Sequence, residues 1–105
     1  MLEAEQRELL EVLAYFYLQQ ARPERAATLY GALAALYPSD KRLQLALACA
    51  QTRAGQSEAA LDSLDRLLED GQIDAGIHLL RAQALTRLGR DSEAARAMDS
   101  FIALR

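Results

Sequence analysis

Apolar residues recur along most of this chain at steps of three and four positions, which is the spacing of helices that bury one face. Short polar connections that contain glycine, proline or capping side chains separate the apolar stretches. The pattern predicts six helices, at about 3–20, 23–37, 40–54, 57–70, 74–88 and 91–103. Ser57, Asp74 and Asp91 are the predicted N-caps, because their side-chain oxygens can accept a hydrogen bond from the first helical turn.

A step of 34 residues brings small and large side chains into register three times along the chain. Small residues in two of the columns let paired helices approach closely, and larger residues fill the space between pairs. A third column of small residues falls between the helices of each pair, where a positive φ costs least in glycine. The five columns are Ala14, Ala48 and Ala82; Ala26, Ala60 and Ala94; Ala21, Gly55 and Gly89; Tyr30, Leu64 and Met98; and Leu33, Leu67 and Phe101. The repeat predicts one all-α domain over residues 1–105, with repeats at about 7–40, 41–74 and 75–105.

Composition favours helices and argues against several classes of function. The chain has 21 Ala and 20 Leu among 105 residues, whereas Val, Ile and Thr together number seven, too few for an extensive β-sheet. A net charge of -3 without a basic cluster argues against nucleic-acid binding. A single cysteine, an acidic first turn and the lack of a long apolar run predict a cytoplasmic protein that does not insert into membranes.

Residues that could perform catalysis are sparse. His78 is the only histidine, and the chain has no glycine-rich phosphate loop and no cluster of metal ligands. Cys49 has no neighbour in sequence that would lower the pKa of its thiol, so a small core-filling role is the simpler interpretation. We therefore expect no enzymatic activity, no cofactor and no metal.

The helix pair resembles the tetratricopeptide repeat, and the first copy carries the resemblance best. Its matching residues are Leu13, Ala14, Tyr17, Ala26, Tyr30, Leu33, Leu36 and Pro38. The second copy has Gln72 where that family usually has proline. The resemblance implies three helix pairs stacked as a right-handed solenoid.

A narrower resemblance points to the YscY/SctY family of small chaperones in bacterial type III secretion. The residues on which this resemblance rests are Glu24-Arg25-Ala26, Ala32-Leu33, Leu36, Pro38, Asp74-Ala75-Gly76, Arg81-Ala82-Gln83 and Phe101-Ile102-Ala103-Leu104. The resemblance implies a small secreted partner of the YscX/SctX type, bound one-to-one, and docking of the pair on the export gate protein of the secretion machine.

The inward-facing positions of the tetratricopeptide repeat, carried onto this chain, give a concave groove on the first helix of each pair. The predicted partner-binding residues are Val12, Tyr15, Leu18, Gln19, Arg42, Leu45, Cys49, Arg53, Leu79, Gln83 and Arg87. The central columns lack the Lys, Asn and Arg set with which related domains bind a C-terminal carboxylate. An apolar strip with Glu8 and Glu11 at one end and Arg53 and Arg87 at the other suits an amphipathic or extended segment.

Tyr15, Leu18, Leu45 and Leu79 are the predicted apolar anchors, although some of them could instead pack beneath a neighbouring helix. Other functions also stay open. The chain could be a translocator chaperone of the same secretion system, or a general scaffold for protein–protein interaction. It could also form a homodimer without its partner, through the apolar end near Phe101, Ile102 and Leu104.

Overall fold

The computed structural model describes residues 2–105 and contains six α-helices over that range. The helices are α1 (Ala4–Gln19), α2 (Pro23–Leu36), α3 (Lys41–Arg53), α4 (Ser57–Glu69), α5 (Ala75–Arg87) and α6 (Asp91–Leu104). Each boundary lies within one residue of its predicted position, and residues 2–105 contain no strand. The all-α prediction is therefore confirmed.

Four of the helices end in the same hydrogen-bonded turn, in which one residue takes a left-handed backbone conformation. That residue is Ala21 after α1, Gly55 after α3, Gly71 after α4 and Gly89 after α5, with φ between 57° and 87°. After α3 the Gly55 amide donates to Thr52 and the Gln56 amide donates to Gln51, and the other three turns repeat this pair of bonds. This is the Schellman arrangement, which satisfies the carbonyl groups at the end of a helix. The predicted column of small residues between paired helices is thus confirmed as a column of positive φ.

The helix N-termini agree with the predicted caps at one position out of three. Asp74 is the N-cap of α5, and its carboxylate accepts a 2.8 Å hydrogen bond from the Gly76 amide. Ser57 and Asp91 are not caps, because each is the first residue inside its helix, after Gln56 and Arg90. In both places the Schellman turn that closes one helix leads directly into the next, so the last residue of the turn occupies the cap position.

Each helix packs against the helices that precede and follow it, and α3 also contacts α5. The start of α1 lies beside the end of α2, since the Tyr37 hydroxyl donates a 3.2 Å hydrogen bond to the Leu2 carbonyl. The Arg7 guanidinium lies over the ring of the same tyrosine, 4.1 Å from its centroid. The chain measures 43 × 28 × 21 Å along its principal axes, so successive packing produces an elongated body.

The repeat columns supply ten of the nineteen buried apolar residues in the range 2–105. Both alanine columns are buried, from complete burial at Ala14 and Ala48 to 8% exposure at Ala94. The larger columns are buried in the first two copies only, with Leu33 and Leu64 almost inaccessible. In the last copy Met98 is 37% exposed, because no part of residues 2–105 packs against that side of α6.

Candidate protein-binding face on α1, α3 and α5

The predicted partner-binding residues lie on α1, α3 and α5, and none of them is buried. The aliphatic residues Leu18, Leu45 and Leu79 are half-buried, as is Cys49. The exposed members are Val12, Tyr15, Gln19, Arg42, Arg53, Gln83 and Arg87. Tyr15, with 58% of its surface exposed, is the largest apolar anchor on this face.

Two polar contacts between the three helices place them side by side. The Arg42 guanidinium on α3 donates to the Glu11 carboxylate on α1, with 2.6 Å between the Nη1 and Oε1 atoms. The Arg87 guanidinium on α5 donates to the backbone carbonyl of Thr52, near the end of α3. The predicted face therefore spans successive first helices of the three pairs.

The surface of this face is divided into shallow depressions. One, of about 700 Å³, is lined by Ala4, Arg7, Glu8, Glu11, Val12 and Arg42. A second, of about 380 Å³, is lined by Leu18, Gln19, Ala21, Pro23 and Arg53, and a third, of about 280 Å³, by Ala82, Gln83, Thr86, Arg87 and Met98. Shallow separate depressions suit side chains of a polypeptide better than one enclosed small molecule.

Glu11 is the electrostatic centre of the first depression. Its carboxylate accepts from Arg42 and also from Arg7, whose Nε atom is 3.2 Å from the Oε2 atom. Arg7 also pairs with Asp40, which caps the start of α3. The hydrogen bond from Arg42 is the largest influence that holds the pKa of Glu11 below its ordinary value, and it raises the pKa of Arg42 in turn. The structure therefore uses Glu11 to join α1 to α3.

The charges that remain for a partner differ from the sequence-based expectation. Glu11 was expected to orient the partner, but two arginines already neutralise it. Arg87 keeps its positive charge, but its guanidinium is held by a hydrogen bond to the Thr52 carbonyl. Glu8 and Arg53 are exposed and form no ion pair within residues 2–105, so they are the charged side chains at opposite ends of the face that stay available.

Two predicted anchors also contribute to the core. Leu45 packs against the buried cluster of Ala48, Leu64, Leu67 and Ile77. Leu18 packs against the first core cluster, which contains Ala14 and Leu33. Both are half-buried, so each has one side in the core and part of its surface open to solvent.

Other types of site find little support in the described residues. Residues 2–105 contain no group of three His, Cys, Asp or Glu side chains arranged to hold a metal ion. Cys49 is a half-buried free thiol, and the buried Nδ1 atom of His78 has no hydrogen-bond partner within the described chain. Among these same residues, no helix has the length and apolar character to cross a bilayer.

Sequence reasoning assigned only Val12 from a second exposed surface, which lies on the side of α1 that faces away from its buried Ala14. This outer stripe consists of Leu9, Val12, Leu13 and Phe16, which are 37% to 67% exposed. The spacing of three, one and three positions is visible in the sequence as a helix stripe. The sequence does not distinguish this stripe, because α1 is apolar on several sides and only the fold shows which side packs against α2.

A scan against models of protein families finds no match for this chain. A search of curated proteins likewise finds no significant relative.

Proposed function

We propose that this chain is a type III secretion chaperone whose three helix pairs form a right-handed tetratricopeptide-like solenoid. In this proposal the face on α1, α3 and α5 binds one small secreted partner of the YscX/SctX type in the cytoplasm, before the pair docks on the export gate protein. The observation that carries the proposal is that all eleven predicted contact residues reach solvent on three helices that lie side by side.

The composition of the face defines what it would bind. Tyr15 presents an exposed aromatic ring, and the open sides of Leu45 and Leu79 supply aliphatic surface on the next two first helices. Aromatic and aliphatic side chains of this kind contribute most of the energy in peptide recognition. The free carboxylate of Glu8 and the free guanidinium of Arg53 would orient a segment with a basic end and an acidic end.

Co-expression with a YscX/SctX-type protein tests the proposal. The partner should co-purify one-to-one with the unaltered chain, and Tyr15→Asp should abolish the complex without loss of helicity in far-UV circular dichroism. Tyr15 is the right position because it is 58% exposed, whereas Leu45→Asp would also disturb the core cluster beneath it. Ile102→Asp is the matched control, since Ile102 is 50% exposed on α6 and lines none of the three depressions.

Four results would count against the proposal or part of it. Failure of the unaltered chain to bind the partner removes the secretion assignment, and capture of a translocator instead favours the related chaperone class. Equal loss of binding in both variants removes the groove assignment. Loss of helicity in Tyr15→Asp would show that this ring supports the fold.

A further inference from the structure

The outer stripe of α1, formed by Leu9, Val12, Leu13 and Phe16, is a continuous apolar surface on one side of a helix. Leu9 is 67% exposed, Val12 66%, Phe16 52% and Leu13 37%. Contiguous exposed apolar side chains at helical spacing are typical of a helix that packs against another helix. The side of α1 that packs in the core is the opposite one, which carries Ala14, Leu10 and Tyr17. The packing of α1 in the core therefore leaves the stripe uncovered.

The order of residues in the stripe is symmetric about the point between Val12 and Leu13. If a second copy of α1 lay antiparallel across this point, Leu9 would face Phe16 of the other copy, and Val12 would face Leu13. Every apolar member of the stripe would then have an apolar counterpart. A two-fold interface requires this kind of self-complementary surface.

Charges at the two ends of α1 favour the antiparallel direction. Glu3 and Glu5 lie exposed at the start of α1, and Arg22 lies exposed just beyond its end. Arg25, exposed in the first turn of α2, lies over the Tyr17 ring of α1 at 5.5 Å from the ring centroid. None of these four side chains forms an ion pair with another residue in the range 2–105. Antiparallel pairing brings the acidic start of each α1 toward the basic end of the other copy, and the two helix dipoles then point in opposite directions. Parallel pairing would place like charges next to each other.

We propose that the outer stripe is a self-association surface through which two copies of this chain pair α1 against α1 in antiparallel orientation. The proposal goes beyond the chaperone function, because Val12 is the one residue that the stripe shares with the candidate face, and Leu9, Leu13 and Phe16 lie outside the predicted groove set. It also differs from a homodimer formed by the C-terminal end of α6, where Met98, Ile102 and Leu104 are exposed as well. Three large apolar side chains are exposed at that end, compared with four in the outer stripe.

Sedimentation equilibrium of the full chain, over a range of concentrations, tests the proposal. The unaltered chain should form dimers, and Leu9→Glu and Phe16→Glu should each weaken the dimer at least about tenfold while helicity is retained. Ile102→Glu is the control at the C-terminal end and should leave dimerisation unchanged. Two separate stripe variants keep the result interpretable if one of them folds poorly.

Disulfide trapping tests the direction of pairing. With Cys49→Ser as background, a chain carrying Leu9→Cys is mixed with a chain carrying Phe16→Cys under mild oxidation. Antiparallel pairing should produce mainly links between the two different chains, because Leu9 faces Phe16 of the other copy. Parallel pairing would link each chain mainly to its own kind and would overturn the proposal.

Other outcomes would overturn it too. A chain that is monomeric at all concentrations has no self-association surface, and a dimer that only Ile102→Glu disrupts uses the other end. If the free chain is a monomer and the stripe becomes protected only in the complex with a secreted partner, the stripe belongs to that partner's site.

Discussion

Ala21 is expected to be a weak point of the fold, because it is a non-glycine residue in a left-handed backbone conformation. Its φ is 57°, and it closes α1 in the same turn that Gly55 closes after α3, with φ of 77°. A β-carbon in this conformation approaches the next carbonyl oxygen, which costs roughly 1–2 kcal/mol. Ala21→Gly should therefore stabilise the protein, and Gly55→Ala should destabilise it.

The effect of each substitution is the difference between a backbone cost in the folded state and a change in the freedom of the unfolded chain. A β-carbon added at Gly55 would meet nothing within 4 Å, so the cost of Gly55→Ala lies in the backbone alone. Glycine also gives the unfolded chain more freedom, which opposes the effect by about 0.4–1 kcal/mol. We therefore expect Ala21→Gly to raise the free energy of unfolding by about 0.5–1 kcal/mol, and Gly55→Ala to lower it by a similar amount. For a domain of this size, a difference of this magnitude corresponds to a change in Tm of about 2–8 °C.

Urea and thermal unfolding followed by far-UV circular dichroism measure this change. The double variant Ala21→Gly, Gly55→Ala should return close to the original stability, because the two turns share no hydrogen-bond partner. Ala95→Gly supplies a control with the opposite sign. Ala95 is exposed within α6, where glycine should destabilise the helix by roughly 0.5–1 kcal/mol.

A loss of stability in Ala21→Gly, like that expected for Ala95→Gly, would contradict the prediction. That result would mean that Ala21 does not hold a left-handed conformation in solution. If Gly55→Ala leaves the stability unchanged, Gly55 does not hold a left-handed conformation in the turn after α3 in solution.

Two further predictions concern the core and the ion pair between α1 and α3. Ala48→Leu should destabilise the protein by roughly 1–3 kcal/mol in urea unfolding, because Ala48 is fully buried among larger side chains and extra volume would strain the core. Ala59→Leu, at an exposed position on α4, is the control and should have little effect. Since the folded-state pKa of Glu11 lies below its ordinary value of 4.5, its charge stabilises the fold above that pH, and the contribution is lost as the pH falls through the folded pKa. Glu11→Gln should therefore lower stability at neutral pH and flatten the acid side of the pH–stability curve, whereas Glu8→Gln should change neither, and equal curves for the two variants would contradict the role of Glu11.

The positions of the helices could be predicted from the sequence because they depend on local properties. Apolar spacing, glycine at Gly55 and Gly89, and the break at Pro38 act within a few residues, and they set the helix boundaries to within one residue. The 34-residue repeat also identified both buried alanine columns, since a position that needs a small residue needs it in every copy.

Surface properties were decided only by tertiary packing. The sequence shows Glu11 as a charge, but only the fold brings Arg7 and Arg42 to it and removes it from the charges open to a partner. The sequence shows Phe16 as apolar, but only the packing of α1 on α2 leaves that ring 52% exposed. Local sequence sets where a helix begins and ends, whereas the exposure of each of its sides depends on residues that are distant in the chain.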